Sequence, residues 1–270
     1  MANLKDIRDR IKSVKSIQQV TKAMKLVAAA KMRKAQERME EARPYSERLS
    51  NIIISLLPDV DRALLPLLDK REIKREALVI VTGDRGMAGA FNSNVIRIAQ
   101  KAIDDFGKDK SLLICIGKKS VNHFKMRNYT VINEYKDFWS ELNFKHAMEM
   151  SAQIISQFVS GNVDQVQVVY NEFVSVGKQE VLNVKFLPLT YAFQDTDLAL
   201  VSDRIYEPSK ENVVKKMVPK YLNTQVWQYL LESFASEQAA RMLAMENASS
   251  NAEDMIKDLT LQYNKARQSA

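Results

Sequence analysis

The sequence predicts an α+β fold: a long antiparallel coiled coil of N- and C-terminal helices with an inserted Rossmann-like α/β domain. Apolar residues recur at helical spacing near both ends of the chain, strand-like and helical segments alternate between them, and 270 residues contain only seven glycines. We divide the chain into an N-terminal coiled-coil helix at 1–57, a connection at 58–75, the α/β domain with a terminal loop at 76–208, and a C-terminal coiled-coil helix at 209–270.

The N-terminal segment has the pattern of one long amphipathic helix. Residues 3–57 contain no glycine and one proline, Pro44. Steps of three and four separate its apolar residues, which are Leu4, Ile7, Ile11, Val14, Ile17, Val20, Met24 and Val27. Some 55 helical residues would form a rod of roughly 80 Å, longer than a compact domain of this size requires. We expect Pro44 to kink this helix or to end its first straight section.

The middle of the chain alternates β-branched runs with helical segments, as in a parallel sheet with crossover helices. The predicted strands are Ala77–Thr82, Ser111–Gly117, Asn128–Tyr135, Val163–Ser175 and Gln179–Thr190, and the predicted helices are Ser93–Phe106, Lys118–Met126 and Glu141–Val159. The last two strands have the spacing of a hairpin, and the segment from Tyr191 to Pro208 is predicted to be a mildly acidic loop.

Helical spacing returns at Ser209 and continues to the end of the chain. Small residues are concentrated in its last third, at Ala235, Ala239, Ala240, Ala244, Ala248 and Ala252. A matching small patch lies at Ala28–Ala30, and small faces on both helices allow the close approach of a two-stranded pair. Neither apolar stripe follows a strict heptad, so we expect an irregular pair with limited supercoiling.

The basic charge is confined to the N-terminal helix. Residues 1–40 contain eleven basic and four acidic side chains, so this segment accounts for the whole formal net charge of +7. Such a helix is expected to meet an acidic surface. An alternative interpretation is a nucleic-acid-binding coiled-coil protein, although no aromatic residues are interleaved with the basic ones for base stacking.

The chain offers little material for catalysis or for binding a cofactor or metal. Its two histidines, His123 and His146, lie on separate predicted helices, and its one cysteine, Cys115, lies in an apolar strand. The loop Gly83–Gly89 follows a strand and precedes a helix, where backbone amides can hold an anion. It matches neither the G-x-G-x-x-G motif nor the Walker pattern, so we interpret it as a structural turn or partner contact. A nucleotide-using enzyme remains a third interpretation, which direct binding of ATP or NAD would support.

No apolar run approaches the ~20 residues of a membrane-spanning helix, and the opening residues lack the apolar region of a secretory signal. Three segments are distinctive: IRDRIKSVKSIQQVTKAMKLVAAAKMRKAQ near the start, GDRGMAGAFNSNV in the middle, and SEQAARMLAMENASSNAEDMIKDLTLQYNKARQ near the end. In content and order they closely resemble the gamma-subunit family of rotary F-type ATP synthases, and the resemblance covers essentially the whole chain.

This resemblance implies a non-catalytic central stalk that transmits torque between a membrane c-ring and a catalytic hexamer, coupling proton flow to ATP synthesis. The implied partners are the alpha, beta and epsilon subunits and the c-ring. The chain itself is expected to hold no cofactor and to reach the membrane only through the complex. The implied location is the cytoplasmic face of a bacterial inner membrane.

The resemblance also assigns contact residues. Met24 and Lys25 in TKAMK match the family's contact with an acidic loop of the beta subunit, and Arg241 in AARM is similar to a family residue that assists coupling. Arg267 and Gln268 in KARQ match a contact with a beta-subunit loop near the catalytic sites.

The foot that meets the c-ring is assigned by the same resemblance to three consecutive residues, Tyr206, Glu207 and Pro208. None of the assigned residues would be catalytic.

Overall fold

The computed structural model describes residues 4–56, 66–69, 71–189, 207 and 209–268. Two long helices dominate it, α1 at Leu4–Leu56 and α5 at Lys210–Gln268. Contacts between them pair Arg8 with Tyr263 and Lys25 with Glu246. Residue numbers therefore rise along one helix while they fall along the other, which confirms the predicted antiparallel pair.

Helix α1 does not end at Pro44 but continues for three more turns to Leu56. Pro44 is exposed, whereas Leu49 and Ile53 beyond it are buried and Met39 before it packs against the main core. Burial on both sides offsets the backbone hydrogen bond that proline removes, a loss of about 3 kcal/mol in a helix interior. The helix thus continues through Pro44, and the kink expected at that residue stays a prediction.

The contact between α1 and α5 is more regular than the apolar pattern indicated. Five buried residues of α1 recur every seven positions, and they are Ile7, Val14, Thr21, Ala28 and Ala35. A seven-residue repeat keeps one helix face toward its partner. The repeat is hidden in the sequence because one member is polar: the Thr21 and Ser249 hydroxyls share a buried hydrogen bond of 2.7 Å.

The inserted domain contains a five-stranded sheet. Its strands are β1 (Glu76–Val81), β2 (Ser111–Ile116), β3 (Val131–Tyr135), β4 (Gln165–Ser175) and β5 (Lys178–Leu187). Their order is β3-β2-β1-β4-β5, in which the first four strands are parallel and β5 runs antiparallel to β4. The central strand β1 is buried along its whole length, as a parallel sheet covered on both faces requires. The Rossmann-like sheet with a terminal hairpin is confirmed.

Helices cover both faces of this sheet. One face packs against α2 (Phe91–Phe106) and α3 (Lys118–Lys125) through a core that includes Cys115. The other face packs against α4 (Phe144–Val159) and α5, and it also receives Ile53 of α1. The long helices therefore share the main hydrophobic core with the domain, which positions α5 across the edge of the sheet where the parallel strands end.

Helix α4 begins at Phe144, three residues later than the predicted start at Glu141. The Asn143 side chain accepts a hydrogen bond from the Lys145 amide at 3.0 Å, and the Asn143 amide donates to Nδ1 of His146 at 3.3 Å. This reciprocal cap fixes the helix start at Asn143. The preceding turn, from Trp139 to Glu141, is a short 3-10 helix.

Candidate partner-binding surface

The N-terminal half of α1 carries exposed apolar side chains outside its buried seam with α5. Ile17, Val20 and Val27 are each more than half exposed, and Leu26 is 70% exposed. They lie on the same helix as the concentrated basic charge. An exposed apolar stripe bordered by charge is typical of a surface that another protein covers.

Met24 lies within this stripe and is half-buried, because it lines a cavity of about 580 Å³ between α1 and the loop that follows β1. Val20 and Val27 line the same cavity from α1, and Met87 lines it from the loop. Trp139 and, from α5, Phe234 complete its apolar lining. Its position next to the exposed stripe extends the apolar surface toward the α/β domain.

Lys25 has a partner within the chain. Its Nζ atom lies 2.8 Å from Oε1 of Glu246 on α5, and both side chains remain well exposed, at 36% and 52%. An exposed pair of this kind contributes only about 0–1 kcal/mol to stability. Lys25 is therefore available to exchange Glu246 for an acidic group of a partner at small cost.

Arg241 is far less accessible than Lys25, since its side chain is only 11% exposed. Its Nη2 atom donates to Oε1 of Glu237 at 2.6 Å and to the carbonyl oxygen of Gly86 at 3.2 Å. Arg241 also lines the cavity that contains Met24. The structure thus brings Met24 and Arg241 to one cavity, but it commits the Arg241 guanidinium to contacts inside the chain.

The loop Gly83–Gly89 is held by its own side chains and neighbours. Asp84 accepts hydrogen bonds from the amides of Lys118, at 2.8 Å, and Asp137, at 2.9 Å. Asn92 accepts from the Gly83 amide at 2.9 Å and donates to the Arg85 carbonyl oxygen at 3.1 Å. These bonds satisfy the loop's polar groups from α2, α3 and the segment after β3, which fits the predicted structural turn.

The crevice where a doubly wound sheet would hold a nucleotide is filled by α5. Such ligands bind at the carboxyl ends of the strands where the strand order reverses, here between β1 and β4. The Asn171 amide within β4 donates to Ser233 Oγ at 3.3 Å, and Ser236 Oγ donates to the Asn171 carbonyl oxygen at 3.5 Å. Glu237 lies against Gly83 after β1. This arrangement counts against the nucleotide-using interpretation.

Arg267 and Gln268 form a second location, at the end of α5, where both side chains are exposed. Arg267 lies 21 residues beyond Glu246, about 30 Å along the helix. The neighbouring turn is tied to α1, because Arg8 Nη2 donates to the Tyr263 hydroxyl at 2.8 Å. The predicted contact residues therefore lie at two separate levels of the coiled coil.

The predicted foot is only partly covered by the structure. Glu207 is exposed, whereas Tyr206 and Pro208 lie outside the described residues.

Cys115 is fully buried, and burial raises the pKa of its thiol to about 12, so it is the unreactive strand residue that the sequence predicted. Within the described ranges, no three His, Cys, Asp or Glu side chains come together as a group that could hold a metal ion.

Among the helices that the structure describes, none combines the length and the apolar character needed to cross a membrane.

Sequence reasoning missed Glu237, whose side chain is only 6% exposed. Burial raises the pKa of its carboxyl group, while the Arg241 guanidinium opposes that shift. The available signal was the spacing of Glu237 and Arg241, four apart on a helix, with small residues between them. Surface helices show the same spacing, so the burial of this pair became visible only in the fold.

Together, the fold and these surfaces define a class: a two-helix coiled-coil shaft carrying an inserted α/β domain, with exposed contact surfaces along the shaft. A family model described as ATP synthase matches residues 3–270. The chain belongs to the ATP synthase gamma chain family.

Two relatives illustrate this membership. The ATP synthase gamma chain of Chloroherpeton thalassium is 44% identical over 285 residues, and that of Prosthecochloris aestuarii is 46% identical over 276 residues. Each alignment covers 100% of this chain and 94% of the relative. The similarity therefore extends over both helices and the inserted domain.

Solved structures agree with the fold. The central stalk and c-ring structure of the Tetrahymena thermophila mitochondrial ATP synthase contains a chain 26% identical, with a TM-score of 0.66, covering 85% of this chain and 99% of that one. A chain of the Euglena gracilis mitochondrial ATP synthase rotor is 19% identical, with a TM-score of 0.68 and coverage of 98% of both chains. The latter similarity concerns the fold alone.

Proposed function

We propose that this chain is the central-stalk rotor subunit of an ATP synthase, which transmits torque between a membrane c-ring and a catalytic hexamer of alpha and beta subunits. The observation that carries the proposal is the shaft itself: antiparallel helices of 53 and 59 residues that bear an exposed, basic and apolar surface. Family membership supports the same function. Proton flow through the ring would turn the shaft and so drive ATP synthesis.

The proposed mechanism requires a stiff shaft with an uneven surface. Long helices without glycine resist twisting, and the seven-residue seam from Ile7 to Ala35 keeps one face of α1 toward α5. The exposed apolar stripe of Ile17, Val20 and Val27 lies on α1, so each surrounding catalytic subunit would meet a different face of the shaft. A rotor biases each subunit's conformers only through such differences in contact free energy.

Beta-subunit contacts are proposed at both levels of the coiled coil. Met24 and Lys25 would meet an acidic loop beside the apolar stripe, and localised positive charge on α1 supports this. Arg241 would act from the same cavity, and Arg267 and Gln268 would bind a loop near the catalytic sites.

The other partners are proposed at the opposite end, where Tyr206, Glu207 and Pro208 would form the c-ring foot and the α/β domain would meet the epsilon subunit. In this proposal the chain is not catalytic, and the partners bind ATP. It would lie on the cytoplasmic face of a bacterial inner membrane and associate with that membrane only through the complex. The relatives and structures described above are all ATP synthase chains, which favours this function over binding of nucleic acid.

The test is reconstitution with alpha and beta subunits, followed by ATPase assays with and without the chain. We expect one copy per hexamer and activity that depends on it. Lys25→Ala should reduce that activation, whereas Lys257→Ala is the matched control, because Lys257 is an exposed lysine of α5 that pairs only with neighbouring acids on its own helix. A chain that stays unbound and leaves activity unchanged would refute the proposal.

A further inference from the structure

The α/β domain is fastened to the shaft at a buried contact between α5 and the loop after β1. Glu237 of α5 lies so close to Gly83 that a Cβ atom added there would be 2.7 Å from Cδ of Glu237 and 2.8 and 2.9 Å from its carboxylate oxygens. Real Cβ atoms essentially never make contacts of this length. Alanine at position 83 would therefore force the Glu237 carboxylate to move, and its bond to Arg241 opposes that movement.

A second contact lies one helical turn away on α5. Arg241 bonds both Glu237 and the carbonyl oxygen of Gly86, so the pair holds the loop at two points three residues apart. Both side chains are almost completely buried. Removing one member of a buried ion pair leaves the other charge uncompensated, which is strongly unfavourable. We refer to the contact of Glu237 and Arg241 with the loop Gly83–Gly86 as the joint, and separating its members is energetically unfavourable.

The loop distributes this attachment to several elements of the domain. Asn92 connects it to α2, and Asp84 connects it both to the start of α3 and to the segment after β3. A force applied to α5 at Glu237 would therefore reach three parts of the domain through short hydrogen bonds. The Ser233 and Ser236 bonds to Asn171 lie beside this contact and are buried as well.

We infer that Glu237, supported by Arg241, is the positioning residue that locks the α/β domain to the coiled-coil shaft, so that the two turn together. This inference rests on the proposed rotor function for its consequence, but the joint itself can be measured without rotation. Glu237 touches no reacting group; it acts through the loop Gly83–Gly86.

The first experiment measures hydrogen exchange on the full chain without partners. In Glu237→Gln, exchange at residues 83–87 should accelerate by about tenfold or more, while strand β2 stays protected. Glu253→Gln is the matched control, since it makes the same carboxylate-to-amide change at an exposed site of α5. Equal protection of residues 83–87 in the wild type and in Glu237→Gln would show that Glu237 does not hold this loop, whatever the function of the chain.

A double substitution tests the contact itself. Gly83→Ala alone should also accelerate exchange in the loop, because the new methyl group meets the Glu237 carboxylate. In a Glu237→Ala background the same substitution should add little, since the carboxylate has been removed. If the two effects are simply additive, Glu237 and Gly83 do not form the joint. Should Glu237→Gln fail to fold, Arg241→Lys, which keeps the charge but cannot reach both acceptors, replaces it with the same expected direction.

The second experiment measures stiffness in the reconstituted complex. A bead is attached through Met126→Cys. The new thiol is accessible because Met126 is 82% exposed at the end of α3, and the native Cys115 does not compete for the label because it is buried. In a paused complex, the angular variance of the bead should be about twofold larger in Glu237→Gln than in the wild type or Glu253→Gln. If the wild-type complex rotates but the bead has the same angular variance in Glu237→Gln as in the wild type, the inference alone is overturned. A wild-type complex that never rotates would overturn the proposed function.

Discussion

Gly117 provides a sharp test of the fold around the α5 crevice. It follows β2 and has φ 91° and ψ 145°, a conformation that residues with a side chain rarely adopt. A Cβ atom at this position would lie 2.0 Å from the carbonyl oxygen of Thr82 and 2.6 Å from its carbonyl carbon. Since these are backbone atoms, rotation of a side chain cannot relieve the clash in Gly117→Ala.

The expected loss of stability has two parts. Holding a residue other than glycine in this backbone region costs about 1–3 kcal/mol. Displacing the backbone after β1 to admit the methyl group costs about 1–3 kcal/mol more, as in other overpacked interiors. The free energy of unfolding should therefore fall by about 2–6 kcal/mol, a large part of the ~5–15 kcal/mol typical of a folded domain.

Urea unfolding followed by tryptophan fluorescence measures this loss, because Trp139 is buried in the main core and Trp227 packs against it. Gly177→Ala is the matched control, because no atom lies within 4 Å of its added Cβ and its φ is not positive. Its midpoint should stay close to that of the wild type. If Gly117→Ala unfolds at the same urea concentration as Gly177→Ala, the described approach of Gly117 to Thr82 is wrong.

Two further predictions concern buried polar groups of the long helices. Thr21→Val should lower the free energy of unfolding by about 1–3 kcal/mol, because it deprives the buried Ser249 hydroxyl of its partner, whereas Thr21→Val with Ser249→Ala should be closer to neutral. Glu232→Gln should stabilise the chain at neutral pH, because burial raises the pKa of the Glu232 carboxyl group above its usual 4.5 and Oε2 has no hydrogen-bond partner.

The direction of the Glu232 effect follows from proton binding. Between pH 4.5 and the raised pKa, the folded chain binds more protons at Glu232 than the unfolded chain does, so wild-type stability falls as pH rises through this window. Glutamine resembles the protonated acid, so the advantage of Glu232→Gln should shrink as pH falls from the raised pKa toward 4.5 and should be lost below 4.5. A stabilisation by Glu232→Gln that does not depend on pH would contradict the raised pKa of Glu232. For the other pair, the explanation fails if adding Ser249→Ala to Thr21→Val lowers the free energy of unfolding further.

Long-range patterns allowed the main elements to be predicted from the sequence. Apolar residue types mark the positions that are buried. The steps of three and four in α1 and the β-branched runs of β1 and β2 therefore reveal these elements directly. Boundaries set by local chemistry were harder: the α4 start depends on Asn143 and His146, and Asn-x-x-His lacks the usual Glu or Gln of a capping box. Pro44 does not end α1, because tertiary contacts on both sides of it outweigh its local preference.

The candidate site was predictable to a smaller extent. Met24 and Lys25 were identified through the family resemblance, and the structure places them on an accessible part of α1. Arg241 was assigned in the same way, but its contact with Gly86 joins elements about 150 residues apart in the chain. No periodicity in one helix reveals such a pairing, because a charged pair four apart is also the pattern of a solvated surface.

Observation of rotation tests the central claim most directly. A complex with alpha and beta subunits is fixed to a surface through its beta subunits, and a bead is attached to the shaft chain through Met126→Cys. On addition of ATP the account predicts rotation in one direction with three pauses per turn, one for each beta subunit. Steady ATP hydrolysis that requires this chain, with a bead that never turns, would contradict the account.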